Sequence, residues 1–134
     1  MAAPSPEKKI LVVEDEEEYR LLFGSVLGEA GYAVFSAPNG EEGLRLYAEQ
    51  APDLVILDVM LPDVLGFEFC RRVRDGKVRP QTPILFCTVR SAVSQLARGV
   101  KSGGTDYVLK PFAPEDLLAR VRAALNPPAS SKKD

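Results

Sequence analysis

The sequence predicts an α/β fold in which one five-stranded parallel sheet is covered by helices on both faces. Two observations predict it: strand-like and helix-like segments alternate five times along 134 residues, and two of the strands are apolar without interruption. A strand that alternated apolar and polar residues would leave one face wet. A continuous run is buried on both.

The first strand is 10–13, "ILVV". Residues 16–30 follow as a helix, with Tyr19, Leu22, Phe23, Val26, Leu27 and Ala30 on one stripe. Gly31 stops it in the usual place for a left-handed cap. A short strand at 32–36 leads to Asn39, a helix cap, and a helix to about Gln50 with Glu41 and Glu42 in its first turn. The third strand is 53–58. A helix over about 65–74 places Phe67, Cys70 and Val73 or Arg74 on one side. "TPILFCT" is the fourth strand, and Val93, Leu96, Ala97 and Val100 mark a helix over 91–102, broken by Gly103 and Gly104. "TDYVLK" is the fifth strand. Pro114 opens the last helix, where its missing N–H costs nothing, and Leu117, Leu118, Val121, Ala124 and Leu125 form its apolar face. Residues 9–126 are expected to form the domain, with 1–8 a flexible lead and 127–134 a polar tail or the start of a linker. Right-handed crossovers leave few topologies, and the flavodoxin-like order 2-1-3-4-5 suits five strands and five helices.

Composition narrows the function. Hydrophobic content of 46%, charged content of 27% and a net charge of −2 suit a soluble globular domain and give no bulk attraction to nucleic acid or an anionic membrane. No apolar run approaches the ~20 residues of a membrane span, and no signal-peptide pattern opens the chain. A cytoplasmic location is expected, with Cys70 and Cys87 as reduced thiols. There is no histidine, so the commonest general base and metal ligand are missing.

Both apolar strands run into acid, at Glu14 and Asp15 after the first and at Asp58 after the third. In a doubly wound sheet, ligands bind beyond the carboxyl ends of the strands, where the strand order reverses. The topology therefore gathers three carboxylates that repel one another. A hard divalent cation relieves the repulsion, and Mg2+ suits carboxylates while keeping positions open for phosphate oxygens. Alone, "EDEEE" reads equally as an acidic helix start, but that does not explain Asp58 on another strand. Thr88 ends the fourth strand and Lys110 the fifth. A hydroxyl, an ammonium and a metal site on one edge are the equipment for holding a phosphoryl group.

The motifs "VVED", "ILDVMLPDVLG", "FCT" and "DYVLKPF" occur in that order, and the chain resembles the response-regulator receiver domains of two-component signalling over about residues 9–125. The resemblance implies that Asp58 is the phosphoryl acceptor. It implies that Glu14, Asp15, Asp58 and the Met60 backbone carbonyl hold Mg2+ (or Mn2+), with Glu14 acting through water. Lys110 would pair with a phosphoryl oxygen, and the Lys110–Pro111 bond would be cis. Thr88 and Tyr107 would be the switch pair, and Pro62 and Gly66 would shape the loop after the third strand. The last helix resembles the subfamily that dimerises through the fourth helix, fifth strand and fifth helix and carries a winged-helix output domain. Asp106, Glu115, Asp116, Arg120 and Arg122 are the interface candidates, and a stand-alone receiver or an excised fragment is expected. Glu14 replaces the commoner aspartate, Leu65 stands where a polar residue is frequent, and Val89 follows Thr88 where a small residue is usual.

The expected role is a phosphorylation-activated switch, not a stand-alone enzyme. A histidine kinase or phosphotransfer protein supplies the phosphoryl group, small donors also serve, and slow autodephosphorylation ends the signal. No membrane contact and no direct nucleic-acid binding are expected of this chain. The alternatives are a degenerate receiver that only binds partners and, further off, a Mg2+-dependent phosphohydrolase. Haloacid-dehalogenase-like hydrolases place a second aspartate two residues after the nucleophile, where this chain has Met60. A nucleotide or flavin module fits less well still, because "EDEEE" would repel phosphate where a glycine-rich cradle is needed.

Overall fold

A computed structural model describes residues 7–92, 94, 97, 101 and 103–126. Five parallel strands form one sheet in the order β2-β1-β3-β4-β5. They are β1 (Lys9–Val13), β2 (Ala33–Ala37), β3 (Leu54–Leu57), β4 (Ile84–Val89) and β5 (Asp106–Lys110). The helices are α1 (Glu17–Glu29), α2 (Gly40–Gln50), α3 (Gly66–Asp75) and α4 (Pro114–Leu125), with a short 3-10 turn at Arg90–Ala92. Ser94, Ala97 and Lys101 are helical. The rest of the helix expected over 91–102, with Val93, Leu96 and Val100, lies outside the described residues. The described residues thus give four full helices where five are expected, and α4 is the fifth helix of the sequence reading. No described helix is long and apolar enough to cross a membrane.

The apolar runs divide by the period of two. Leu11 and Val13 of β1 join Val55, Leu57, Ile84 and Phe86 in a core closed by Tyr47 of α2 and by Phe69, Cys70 and Val73 of α3. Ile10 and Val12 face the other way, into a core with Leu54, Ile56, Leu85, Cys87 and Val108, closed by Phe23 and Leu27 of α1 and Leu117 and Val121 of α4. Each fully buried aromatic or leucine is worth about 1.5–3 kcal/mol relative to exposure. Within α3 the buried aromatic is Phe69, and Phe67 is only half-buried. Phe67 stands three residues before Cys70 and Phe69 four before Val73, so helical spacing admits either, and the choice is made by the sheet above them.

The punctuation works as the residue types dictate. Gly31, at φ 99°, closes α1: its N–H donates to Gly28 O and the N–H of Tyr32 to Leu27 O. The Asn39 side chain accepts from Glu42 N at 2.9 Å and caps α2. A second cap was not visible in the sequence. Asp63, in the loop after β3, accepts from Gly40 N at 2.7 Å and Glu41 N at 3.0 Å. That carboxylate ties the loop beside Asp58 to the first turn of α2. Its slight burial works against its charge, but backbone N–H groups, those of Glu41 and Gly40 foremost, outweigh this and hold the Asp63 carboxyl below the ordinary range.

Candidate functional site at the carboxyl edge of the sheet

The strand ends bring the predicted residues together. Val13 O accepts from Asp58 N at 3.2 Å, which places Asp58 beside the end of β1, and Glu14 N donates to Ala37 O at 3.0 Å. Glu14, Asp15 and Asp58 each offer a carboxylate oxygen within 4.8 Å of the others. Glu14 and Asp58 are buried, and Asp15 is exposed.

Three donors converge on Asp58. Thr88 Oγ1 donates to Asp58 Oδ1 at 3.0 Å, and so does the Met60 backbone N–H, also at 3.0 Å. Lys110 Nζ donates to Oδ2 at 3.0 Å. Its second carboxylate is Glu14, at 2.6 Å from Oε1. Glu14 Oε2 in turn accepts from Glu16 N at 3.1 Å, and Arg20 Nη1 donates to Glu14 O at 2.7 Å. No buried side-chain nitrogen or oxygen among the described residues lacks a partner, so the buried part of the cluster is satisfied as it stands.

The electrostatics follow from burial. Desolvation pushes the Glu14 carboxyl above its ordinary value, against the Lys110 hydrogen bond and ion pair, which pull it down. Burial works against the Lys110 charge. The hydrogen bond to Glu14 and the charge of Asp58 more than offset it and hold the ammonium above its usual range. One ammonium cannot balance three carboxylates. The donor set is all oxygen and partly open at Asp15, which fits a hard divalent cation. Cys70 and Cys87 are buried in the two apolar cores, where burial pushes their thiols up to about 12, the setting of structural cysteines.

The loop after β3 is shaped by close approach. The N–H of Gly66 donates to Val59 O at 2.7 Å, and a Cβ at Gly66 would lie 2.8 Å from Val59 Cα and 3.1 Å from Asp58 O. Any larger residue would push the loop off Asp58. The Lys110–Pro111 peptide is cis. β4 runs one residue past Thr88, to Val89, which pairs in register with Lys110 and is 44% exposed. Tyr107 is 42% exposed and does not touch the carboxylates; Arg120 lies over its ring at 5.7 Å. Arg120 also pairs with Asp106 at 3.0 Å. Glu115, Asp116 and Arg122 are exposed on α4.

Sequence reasoning missed two side chains at this edge. Glu16 Oε1 stands 3.7 Å from Lys110 Nζ, and the Tyr19 ring centroid stands 4.4 Å from it. Both belong to the acidic start of α1, where helix periodicity assigns Tyr19 to the core and charge assigns Glu16 to solvent.

A family model described as the response regulator receiver domain matches residues 10–122. The chain is 44% identical over 125 residues to the uncharacterized transcriptional regulatory protein YkoG of Bacillus subtilis, covering 93% of this chain and 54% of that protein. It is 44% identical over 117 residues to the phosphate regulon transcriptional regulatory protein PhoB of Rhizobium meliloti, covering 87% and 52%. The chain therefore spans about half the length of the curated relatives it matches. Its fold is similar to the solved structure of Vibrio cholerae chemotaxis protein CheY4, with a TM-score of 0.84 and 34% identity over 90% of this chain and 100% of that one.

Proposed function

Because this chain belongs to the response regulator receiver domain family, we infer that Asp58 is the phosphoryl acceptor of a phosphorylation switch in two-component signalling. The observation that carries the reading is the Asp58 carboxylate itself. It is held by Thr88, Lys110 and the Met60 N–H while grouped with Glu14 and Asp15.

An Asp58 carboxylate oxygen forms the new P–O bond as the donor's bond to phosphorus breaks, and the donor atom leaves with that electron pair. The donor is the phosphohistidine of a histidine kinase or phosphotransfer protein, and a small acyl phosphate also serves. Lys110 and Thr88 move from the carboxylate oxygens to phosphoryl oxygens and stabilise the charge there. Glu14, Asp15, Asp58 and the Met60 carbonyl would hold Mg2+. When bound, the ion supplies the positive charge that brings an anionic donor to an anionic site. Water then attacks phosphorus, the P–O bond to Asp58 breaks, and the carboxylate returns with inorganic phosphate released.

The role is signalling, and the slow hydrolysis is its timer. Thr88 and Tyr107 form the switch, and the face bearing Asp106, Glu115, Asp116, Arg120 and Arg122 is the surface that changes partners, including a second copy of the chain. The relatives named as transcriptional regulators support a DNA-binding output in a longer protein. A location in the cytoplasm suits a kinase partner.

The testing experiment is incubation with acetyl phosphate and Mg2+, followed by intact mass. A gain of one phosphoryl group is expected. No gain, with the protein folded, favours a receiver that only binds partners.

A further inference from the structure

We propose that Tyr19 is a positioning residue for Lys110, its ring face fixing the ammonium at the point from which it meets the transferring phosphoryl group. This rests on the reading of Asp58 as the acceptor and adds a residue to it.

Lys110 Nζ is gripped on one side by Glu14 at 2.6 Å and Asp58 at 3.0 Å. Glu16, at 3.7 Å, is beyond hydrogen-bond length. The Tyr19 ring, 4.4 Å from Nζ to its centroid, supplies a further contact, well inside the ~6 Å reach of a cation–π interaction. The ring is itself fixed. It packs against Phe23, one turn on along α1, at 6.3 Å, and against Phe112 at 6.0 Å; Phe23 and Phe112 stack at 5.3 Å. Phe112 follows the cis Lys110–Pro111 peptide, so the cage grows from the same turn that ends β5.

The contact matters because one of the two gripping carboxylates is consumed during transfer. When Asp58 takes the phosphoryl group it is no longer a carboxylate, and Lys110 must exchange Asp58 Oδ2 for a phosphoryl oxygen. Glu14 meanwhile draws the ammonium towards itself. A lysine on a four-carbon stem has many ways to follow that pull. The Tyr19 face carries no charge that changes during transfer, so it holds Nζ in the same place before and after. It also replaces water beside a buried ammonium, which strengthens what that ammonium does for the phosphoryl oxygens.

The bland reading is that Tyr19 only fills space in the core with Phe23 and Phe112. Three readouts separate the two in the full chain. First, acetyl phosphate labelling at saturating Mg2+ is timed by intact mass for the parent, Tyr19→Phe, Tyr19→Trp and Tyr19→Leu. The aromatic variants are expected to label at close to the parent rate and Tyr19→Leu about tenfold more slowly. Second, Tyr19→Leu in a Lys110→Met background is expected to add no further loss, because its effect acts through the lysine. Third, the side-chain methylene protons of Lys110 are expected to lose an upfield ring-current shift in Tyr19→Leu, a readout independent of transfer. Tyr19→Met replaces the leucine variant if that one does not fold. Labelling of Tyr19→Leu at the parent rate with only a lower melting temperature would show packing alone and overturn the proposal while leaving Asp58 as acceptor. A folded parent that takes up no phosphoryl group overturns both.

Discussion

The Lys110 ammonium lies 3.0 Å from Asp58 Oδ2 across 52 residues of chain, with both side chains buried. Two strand ends that are not neighbours in the sheet thus share one ion pair. A buried pair of this kind is weak evidence for stability, because desolvation takes back much of the Coulomb energy. It fits a site kept for what it does.

Magnesium should stabilise the folded chain, because the three clustered carboxylates exist only there. At about ten times its dissociation constant the expected gain is about 1.4 kcal/mol, or a few degrees in melting temperature. Asp15→Ala should respond much less. A parent whose melting temperature ignores millimolar Mg2+, or a variant that responds as strongly as the parent, contradicts the metal assignment.

Val89 should slow chemistry at Asp58 in both directions. It is 44% exposed beside Thr88, so it does not point into the core, and its branched bulk stands at the rim of the crevice. Val89→Ala should speed both labelling by acetyl phosphate and hydrolysis of the acyl phosphate, leaving magnesium affinity unchanged. Because the residue is exposed, its melting temperature should move little. Unchanged rates would remove Val89 from the account.

Much of this was legible in the sequence, for identifiable reasons. Continuous apolar runs at 10–13 and 54–57 are too short for buried helices and read as strands covered twice, and acid at their ends marks the edge where ligands bind. Gly31 and Asn39 act on their own neighbours, so local chemistry predicts them. Asp63 and Tyr19 were not legible because their partners are distant in sequence: Gly40 and Glu41 for one, Lys110 for the other. Phe69 displaces Phe67 because helical spacing alone cannot say which of two nearby aromatics the sheet will cover.

Acid should loosen the far end of the sheet through Asp53. Its carboxylate accepts from Lys9 N and from Arg79 Nη1, both at 2.7 Å, joining the starts of β1 and β3 to the turn before β4. Partial burial raises the Asp53 carboxyl, but Lys9 and Arg79 outweigh it and leave the group below its ordinary value. A depressed carboxyl contributes stability above the unfolded value of about 3.9, and loses it as pH falls through the lower folded value. Asp53→Asn should therefore cost about 1–2 kcal/mol at neutral pH and less at pH 3. Equal losses at both pH values would show that charge is not the cause.

Phosphorylation should promote self-association through the face of β5 and α4. Both charge signs lie there, which suits a self-complementary two-fold contact. Arg120 is now engaged with Asp106 and the Tyr107 ring, so movement of Tyr107 would release one of its two contacts and ease its transfer to a second copy. Sedimentation with an acyl-phosphate mimic should show a dimer that Arg120→Ala weakens. A monomer under all conditions would contradict this.

The most direct measurement compares the parent with Asp58→Asn, both incubated with acetyl phosphate and Mg2+ and weighed intact. The substitution keeps the shape of the side chain and removes the nucleophile. The parent should gain one phosphoryl group and the variant none, with both folded. Equal labelling of the two would place the chemistry elsewhere and contradict the assignment of Asp58.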